Sequence, residues 1–240
     1  MDEMRPESIF TRRRDAWVIP GAILVAALIL AFAVYAIRTK QLQLPPEGDV
    51  SLVRPVSEKD HIMGNPAAPV VIIEYADIDS NYAKDFQATM QQLMAEYASR
   101  GEVAWVYRHL PLVDQHPNSR EHAEAAECVA SLGGEDLFWR FIDNAHALAP
   151  RNSQLSPESY VSIIEGMGLR AEAFSDCMED DRFAKRVADD FENGLYAGAD
   201  GSPFSIVLIK GQPPITIDGS VPYEGMKRII EESVAKAKSS

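Results

Sequence analysis

From Ala16 to Ile37 the chain reads AWVIPGAILVAALILAFAVYAI, 22 residues without one charged side chain. At about 1.5 Å of rise per residue, a helix of that length crosses a hydrocarbon core of about 30 Å, so one transmembrane helix over 16–37 is the reading that fits. Pro20 falls in the first turn, where a missing N–H is harmless, and Trp17 and Tyr35 sit near the two ends as interfacial anchors do. Arg5, Arg12, Arg13 and Arg14 precede the run, against Arg38 and Lys40 after it. That bias places residues 1–15 in the cytoplasm and the rest of the chain outside it. A cleaved signal peptide is the competing reading, because Ala31-Phe32-Ala33 resembles a cleavage site. The run exceeds the about 7–15 apolar residues of a signal peptide, which favours an uncleaved anchor in the cell membrane. Both readings export the chain beyond the apolar run.

Residues 38–58 hold three prolines and no apolar periodicity, the composition of a partly extended tether. Residues 59–240 then form one domain. Beyond residue 40, 17 basic side chains face 32 acidic ones, a surface that repels phosphate backbones, so nucleic acid is excluded as a partner. The two cysteines, Cys128 and Cys177, are too far apart for a C-x-x-C pattern. The five histidines form no H-E-x-x-H motif or Cys/His cluster, so the spacing announces no metal site and no cofactor.

Within the exported domain, Val70–Tyr75 (VVIIEY) reads as a buried strand. Residues 80–100 change to helical period, with Tyr82, Phe86, Met90, Leu93, Met94 and Tyr97 on one face. Val103–Leu110 is a second strand, which makes a βαβ unit with a parallel pair. Helical segments follow at 119–132, 135–147, 157–166 and 171–196. Two strands, Phe204–Lys210 and Ile215–Ile217, then form a hairpin, and a helix over 222–237 ends the chain. Phe138, Trp139 and Phe141 lie at helical spacing beside Ile142, as core residues do. The acidic run Glu179-Asp180-Asp181 reads as a solvated face or turn. An α/β order with helices inserted after the second strand, at about 117–198, is the thioredoxin order.

Several motifs sharpen that reading. Asp60-His61, Gly64-Asn65-Pro66 and Ala68-Pro69-Val70 lead into the first core strand, and Glu74-Tyr75 and Asp77 lead to a turn followed by Lys84 and Phe86. Farther on come Tyr107-Arg108-His109-Leu110-Pro111-Leu112, Glu124-Ala125-Ala126-Glu127-Cys128 and Gly201-Ser202-Pro203. Over about residues 59–237 the chain resembles the DsbA-like thioredoxin-fold family of thiol-disulfide oxidoreductases. The resemblance implies a DsbA-type fold whose redox C-x-x-C would occupy 80–83, a cis proline at Pro203, and a groove that binds extended polypeptide. It also implies a second, non-catalytic cysteine pair, Cys128 and Cys177. A bridge between them, favoured by export, would stabilise the fold by about 4 kcal/mol in the chain-entropy model.

This chain departs from the pattern at the thiols, since the four positions read Ser80-Asn81-Tyr82-Ala83. A thiolate at a helix N-terminus is stabilised by unpaired N–H groups, and a second sulfur resolves the mixed disulfide. Ser80 does not ionise near neutral pH and Ala83 has no heteroatom, so the pair cannot exchange disulfides. Ser80 is expected to cap the helix; as a nucleophile it would need a base such as His109 or His116 brought close. The remaining implied role is to hold exported polypeptide or an envelope protein at Asn81, Tyr82, Ser202 and Pro203. The alternative is a parent oxidoreductase whose cysteines at 80 and 83 were replaced, although Asn81-Tyr82 departs from the Pro-Phe or Pro-Tyr usual between the thiols.

Overall fold

The computed structural model describes residues 18–39, 48–149 and 155–239; within the first of these stretches, side chains are described at Pro20 and over 23–33. The chain divides into two units, Met1–Leu44 and Pro45–Ser240. In the first, helix α1 runs Val18–Thr39. Ile23, Leu24, Val25, Leu28, Ile29, Leu30 and Phe32 are all more than half exposed, and at helical spacing they point in every direction around the axis. Among the described residues no helix is long and apolar enough to cross a membrane. The expected cytoplasmic segment 1–15, the start of the apolar run and residues 40–47 of the expected tether lie outside the described residues.

The second unit is built on a five-stranded sheet in the order β1-β3-β2-β4-β5. The strands are β1 (His61–Gly64), β2 (Val70–Ala76), β3 (Val103–His109), β4 (Phe204–Ile209) and β5 (Ile215–Asp218). The central pair, β2 and β3, is parallel because helix α2 (Asn81–Tyr97) makes the crossover, while β1, β4 and β5 are antiparallel to their neighbours. Val70, Ile72 and Ala76 alternate onto one face and pack with Phe86, Met90 and Leu93 of α2. Phe138, Phe141 and Ile142 from the inserted helices and Ile230 from α8 (Tyr223–Lys238) join the same core. Ile73 and Tyr75 point the other way and pack with Val106, Ile206 and Ala197.

The insertion comprises α3 (Ser119–Gly133), α4 (Glu135–Leu148), α5 (Ser159–Gly166), α6 (Ala171–Glu179) and α7 (Ala184–Ala197). The one helix expected over 171–196 is therefore two. Glu179-Asp180-Asp181 lies at the carboxylate-averse C-terminal end of α6, and Asp181 takes a left-handed φ of 46° that turns the chain. A disulfide joins Cys128 on α3 to Cys177 on α6, with both residues buried. In α7, Gly194 permits a close approach to the sheet, since a Cβ there would sit 2.9 Å from the Tyr75 ring and 3.0 Å from Leu110.

Two further expectations need correction. Strand β1, read as a lead-in, pairs His61–Gly64 with β3 along the sheet edge. The distal part of the expected tether is docked: Val50, Val53 and Val56 pack against the second core face, and the Asp49 N–H donates to the Tyr196 carbonyl at 2.9 Å. The valines at every third position, 50, 53 and 56, stand among polar residues and prolines and follow neither the strand nor the helix period.

That docking turns on Arg108, a β3 side chain with no exposed surface. Its Nε donates to Asp60 Oδ1 at 2.8 Å and its Nη1 to the Tyr75 hydroxyl at 2.9 Å and to Asn193 Oδ1 at 3.2 Å. Nη2 donates to the carbonyls of Arg54 and Pro55 at 3.0 and 3.3 Å. Burial alone would raise the Asp60 carboxyl, but the Arg108 hydrogen bond and charge, helped by the Ser57 N–H and Arg54, hold it below its ordinary value. Removing one partner of such a pair leaves an uncompensated buried charge. Replacing Arg108 with Met should therefore cost about 3–5 kcal/mol in chemical denaturation. The Arg108→Met/Asp60→Leu double variant should recover a large part of that loss.

Candidate functional site

The turn between β2 and α2 carries the sequence-predicted site. Ser80 is extended, at φ −74° and ψ 124°, and its Oγ accepts the Ala83 N–H at 3.3 Å as an N-cap. The same hydroxyl donates to the Ser202 carbonyl at 3.0 Å, and Ser202 Oγ in turn accepts the Asp77 N–H at 2.7 Å. Ser202 precedes Pro203, and their peptide bond is cis. Thus Ser80, Ala83, Ser202 and Pro203 are brought together, with Ser80 and Ala83 buried. Tyr82 stands outward at 69% exposure and Asn81 is partly buried.

Two aspartates moor this turn, Asp77 to the connection between β3 and α3 and Asp79 to the insertion. Asp77 Oδ2 accepts the Leu112 N–H at 2.8 Å and lies 2.9 Å from His116 Nδ1. Asp79 Oδ2 lies 2.8 Å from His122 Nδ1 on α3, and its Oδ1 accepts the Leu155 N–H at 3.2 Å. The hydrogen bond that His116 donates to Asp77 raises the His116 pKa against a smaller opposing effect of burial. Lys84 Nζ donates to the Ala149 carbonyl at 3.0 Å. Burial, assisted by the Lys84 charge, pushes His146 down to about 4, so it is neutral at physiological pH.

Serine nucleophilicity finds no support in this arrangement. His116 is engaged by Asp77, and His109 Nε2 lies 3.1 Å from Glu127 Oε1. The Ser80 hydroxyl proton points at a carbonyl rather than at a base. The chain's two cysteines are joined to each other in the insertion, which leaves no free thiol to serve the turn.

Sequence reading missed the two Asp–His moorings, although the Asp77-x-Asp79 spacing was visible. It also missed Glu74 as a chemical group. Glu74 lies six residues before Ser80 on the strand face that packs against α2, fully buried, and its Oε2 accepts the Trp105 indole N–H at 2.8 Å. Its other oxygen has no partner among the described residues, and neither do the Tyr107 hydroxyl and Ser205 Oγ on the residues paired with it across the sheet. The signal available was a carboxylate inside the apolar run VVIIEY.

A family model described as thioredoxin matches residues 56–232. The chain belongs to the thioredoxin family. Its fold is DsbA-like: this thioredoxin-family chain aligns with α-DsbA1 of Wolbachia pipientis at a TM-score of 0.67 and 18% identity, covering 80% of this chain and 98% of that one. BdbD of Bacillus subtilis aligns at 0.66 and 20% identity, covering 79% and 97%. Among curated proteins, it is 33% identical over 187 residues to the Na(+)/H(+) antiporter NhaA 3 of Salinispora tropica, covering 76% of this chain and 27% of that protein. It is 28% identical over 193 residues to NhaA 1 of Salinispora arenicola, covering 75% and 28%. The chain thus spans little more than a quarter of the length of these curated relatives.

Inside this thioredoxin domain, burial raises the Glu74 carboxyl from 4.5 to about 8, against the smaller effect of the Trp105 hydrogen bond. The folded state therefore holds a proton that the unfolded chain releases, and stability contributed by this group falls as pH rises between 4.5 and about 8. Glu74→Gln should flatten the stability profile in that window, measured by denaturation at stepped pH. An unchanged slope in the variant would assign the decline to other groups.

Proposed function

We propose that the chain is a membrane-anchored, extracytoplasmic DsbA-like protein that exchanges no disulfides. It holds exported polypeptide or an envelope partner at the groove between Asn81-Tyr82 and Ser202-Pro203. The observation that carries this reading is the turn itself. The position of the first thiol is a serine whose hydroxyl bridges the helix end to the Ser202 loop, the position of the second is a buried alanine, and between them Tyr82 is left exposed. An aromatic ring presented at a groove is the kind of anchor that dominates peptide recognition. The exposed apolar side chains of α1 and the uncharged run 16–37 support the anchor, with the N-terminus cytoplasmic.

The test uses the full chain in detergent. Wild type should not reduce insulin or oxidise thiols, while Ser80→Cys/Ala83→Cys should gain activity because the scaffold around the site is complete; activity in wild type would overturn the redox-inactive reading. Binding to an unfolded, cysteine-free probe, reduced and carboxymethylated α-lactalbumin, should weaken by about tenfold or more in Tyr82→Ala. Equal binding by the variant would remove the groove from the proposal. Alkaline carbonate should leave the chain in the membrane pellet, and its release would remove the anchor.

A further inference from the structure

A second cluster of chemically capable side chains lies on β1, β3 and α3, not on α2 or the cis-proline loop. His61 at the start of β1, His109 at the end of β3 and Glu127 on α3 are separated by tens of residues in sequence. Each offers one donor atom, and these atoms all lie within 4.8 Å of one another. All three residues are at least nine-tenths buried, with exposures of 5%, 1% and 1%. His61 Nε2 and His109 Nε2 are both 3.1 Å from the same oxygen, Glu127 Oε1. Zinc bonds of about 2.0–2.1 Å at tetrahedral angles set neighbouring ligand atoms about 3.3 Å apart, close to these two separations.

Hydrogen-bond accounting requires a positive charge at His61, carried either by the ring itself as imidazolium or by a bound metal. His61 Nδ1 lies 2.9 Å from Glu135 Oε2 while its Nε2 faces Glu127, so both ring nitrogens meet carboxylates. A neutral imidazole has only one N–H and cannot donate to both. With a metal on Nε2, the neutral ring keeps its proton on Nδ1 for Glu135, the carboxylate–histidine–metal arrangement that fixes a ligand's tautomer. Glu135 is itself held, since its Oε1 accepts the Ile62 N–H and the Trp139 indole N–H, each at 2.9 Å. The Phe138 ring stacks on His61 at 3.4 Å between centroids and 7° between planes, which fixes the imidazole orientation.

One cation already touches the cluster. Arg186 Nε on α7 donates to Glu127 Oε1 at 2.6 Å, and its side chain is 29% exposed. Arg186 lines a cleft of about 220 Å³ together with Lys59, Ser131 and Phe183, and His61, Glu127 and Glu135 form part of the same wall. The guanidinium therefore has an outward path when a dication takes its oxygen, and the cleft gives the metal an entry route and room for a water.

We propose that His61, His109 and Glu127 form a zinc site with three protein ligands and one open position facing this cleft. Two imidazoles and one carboxylate suit a borderline dication such as Zn²⁺, whereas Ca²⁺ and Mg²⁺ call for six or more oxygens. The site ties the edge strand to the central sheet and to the insertion, and it is independent of the groove reading. Glu135 is a positioning residue and Arg186 a competing cation.

The experiment titrates Zn²⁺ into the untagged, chelator-stripped full chain in detergent and records the visible spectrum with Co²⁺. One equivalent should bind with a Kd below about 10 µM, with the intense d–d bands of four-coordinate cobalt. Glu135→Gln should weaken zinc binding about 10–100-fold, and His109→Ala should abolish the cobalt spectrum. Arg186→Ala should tighten zinc binding severalfold, a change that a purely structural role for Arg186 does not produce. No stoichiometric uptake by wild type, six-coordinate cobalt bands, or zinc binding unaltered by His109→Ala would each overturn the proposal. If His109→Ala does not fold, the wild-type spectrum and the sign of the Arg186→Ala effect decide.

Discussion

The buried Arg108–Asp60 pair is the constraint around which the unit Pro45–Ser240 is arranged. A guanidinium without exposed surface is tolerable only when its donors are satisfied, and here they reach a carboxylate, a phenol, an amide oxygen and two backbone carbonyls. Those acceptors come from the segment before β1, from β2 and from α7, so one side chain fixes the spacing of three layers. Once Arg54 and Pro55 are held, Val50, Val53 and Val56 cover the second face of the sheet. Polar pairing fixes the position of these layers, and apolar contact supplies most of the stabilisation.

Helix α3 joins the rest of the molecule at several points. His122 reaches the Asp79 turn at the start of α2, Glu127 meets the histidines of β1 and β3, and Cys128 is bonded to α6. The three fastenings fall within seven positions of one helix and differ in chemistry. The turn before α2 is consequently held by Asp79 from the insertion, by Asp77 from the connection between β3 and α3, and from the β4 side by Ser80 and Ser202. Such a turn is suited to presenting a fixed surface; Tyr82 is the part of it that remains outside.

The main course of the fold was legible because its signals are local. VVIIEY, the helical period over 80–100 and the Phe204–Ile217 hairpin each carry their own periodicity, and the structure places elements at all three. What escaped depends on partners far away in sequence. Strand β1 is four residues without an apolar run and becomes a strand only because β3 offers an edge. The division between α6 and α7 rests on one left-handed aspartate within a pattern that continues on both sides. Ser80 as a cap was readable from its type and position, whereas its second bond, to Ser202, spans 122 residues. Separation in sequence also hid His61, His109 and Glu127, which fall in no recognisable spacing.

Gly194 gives the polar hub a dependence that no hydrogen bond records. Its neighbour Asn193 accepts from Tyr75, from Arg108 and from the Arg54 N–H, and donates to the Leu52 carbonyl. Asn193 reaches them because α7 lies flush on Tyr75 and Leu110, where one methyl group would act as a wedge. The electrostatic order at the centre of the domain is thus gated by a missing atom. Selection on that order falls on a residue that contributes no side chain to it, and tolerance to mutation in α7 is set by clearance as much as by chemistry.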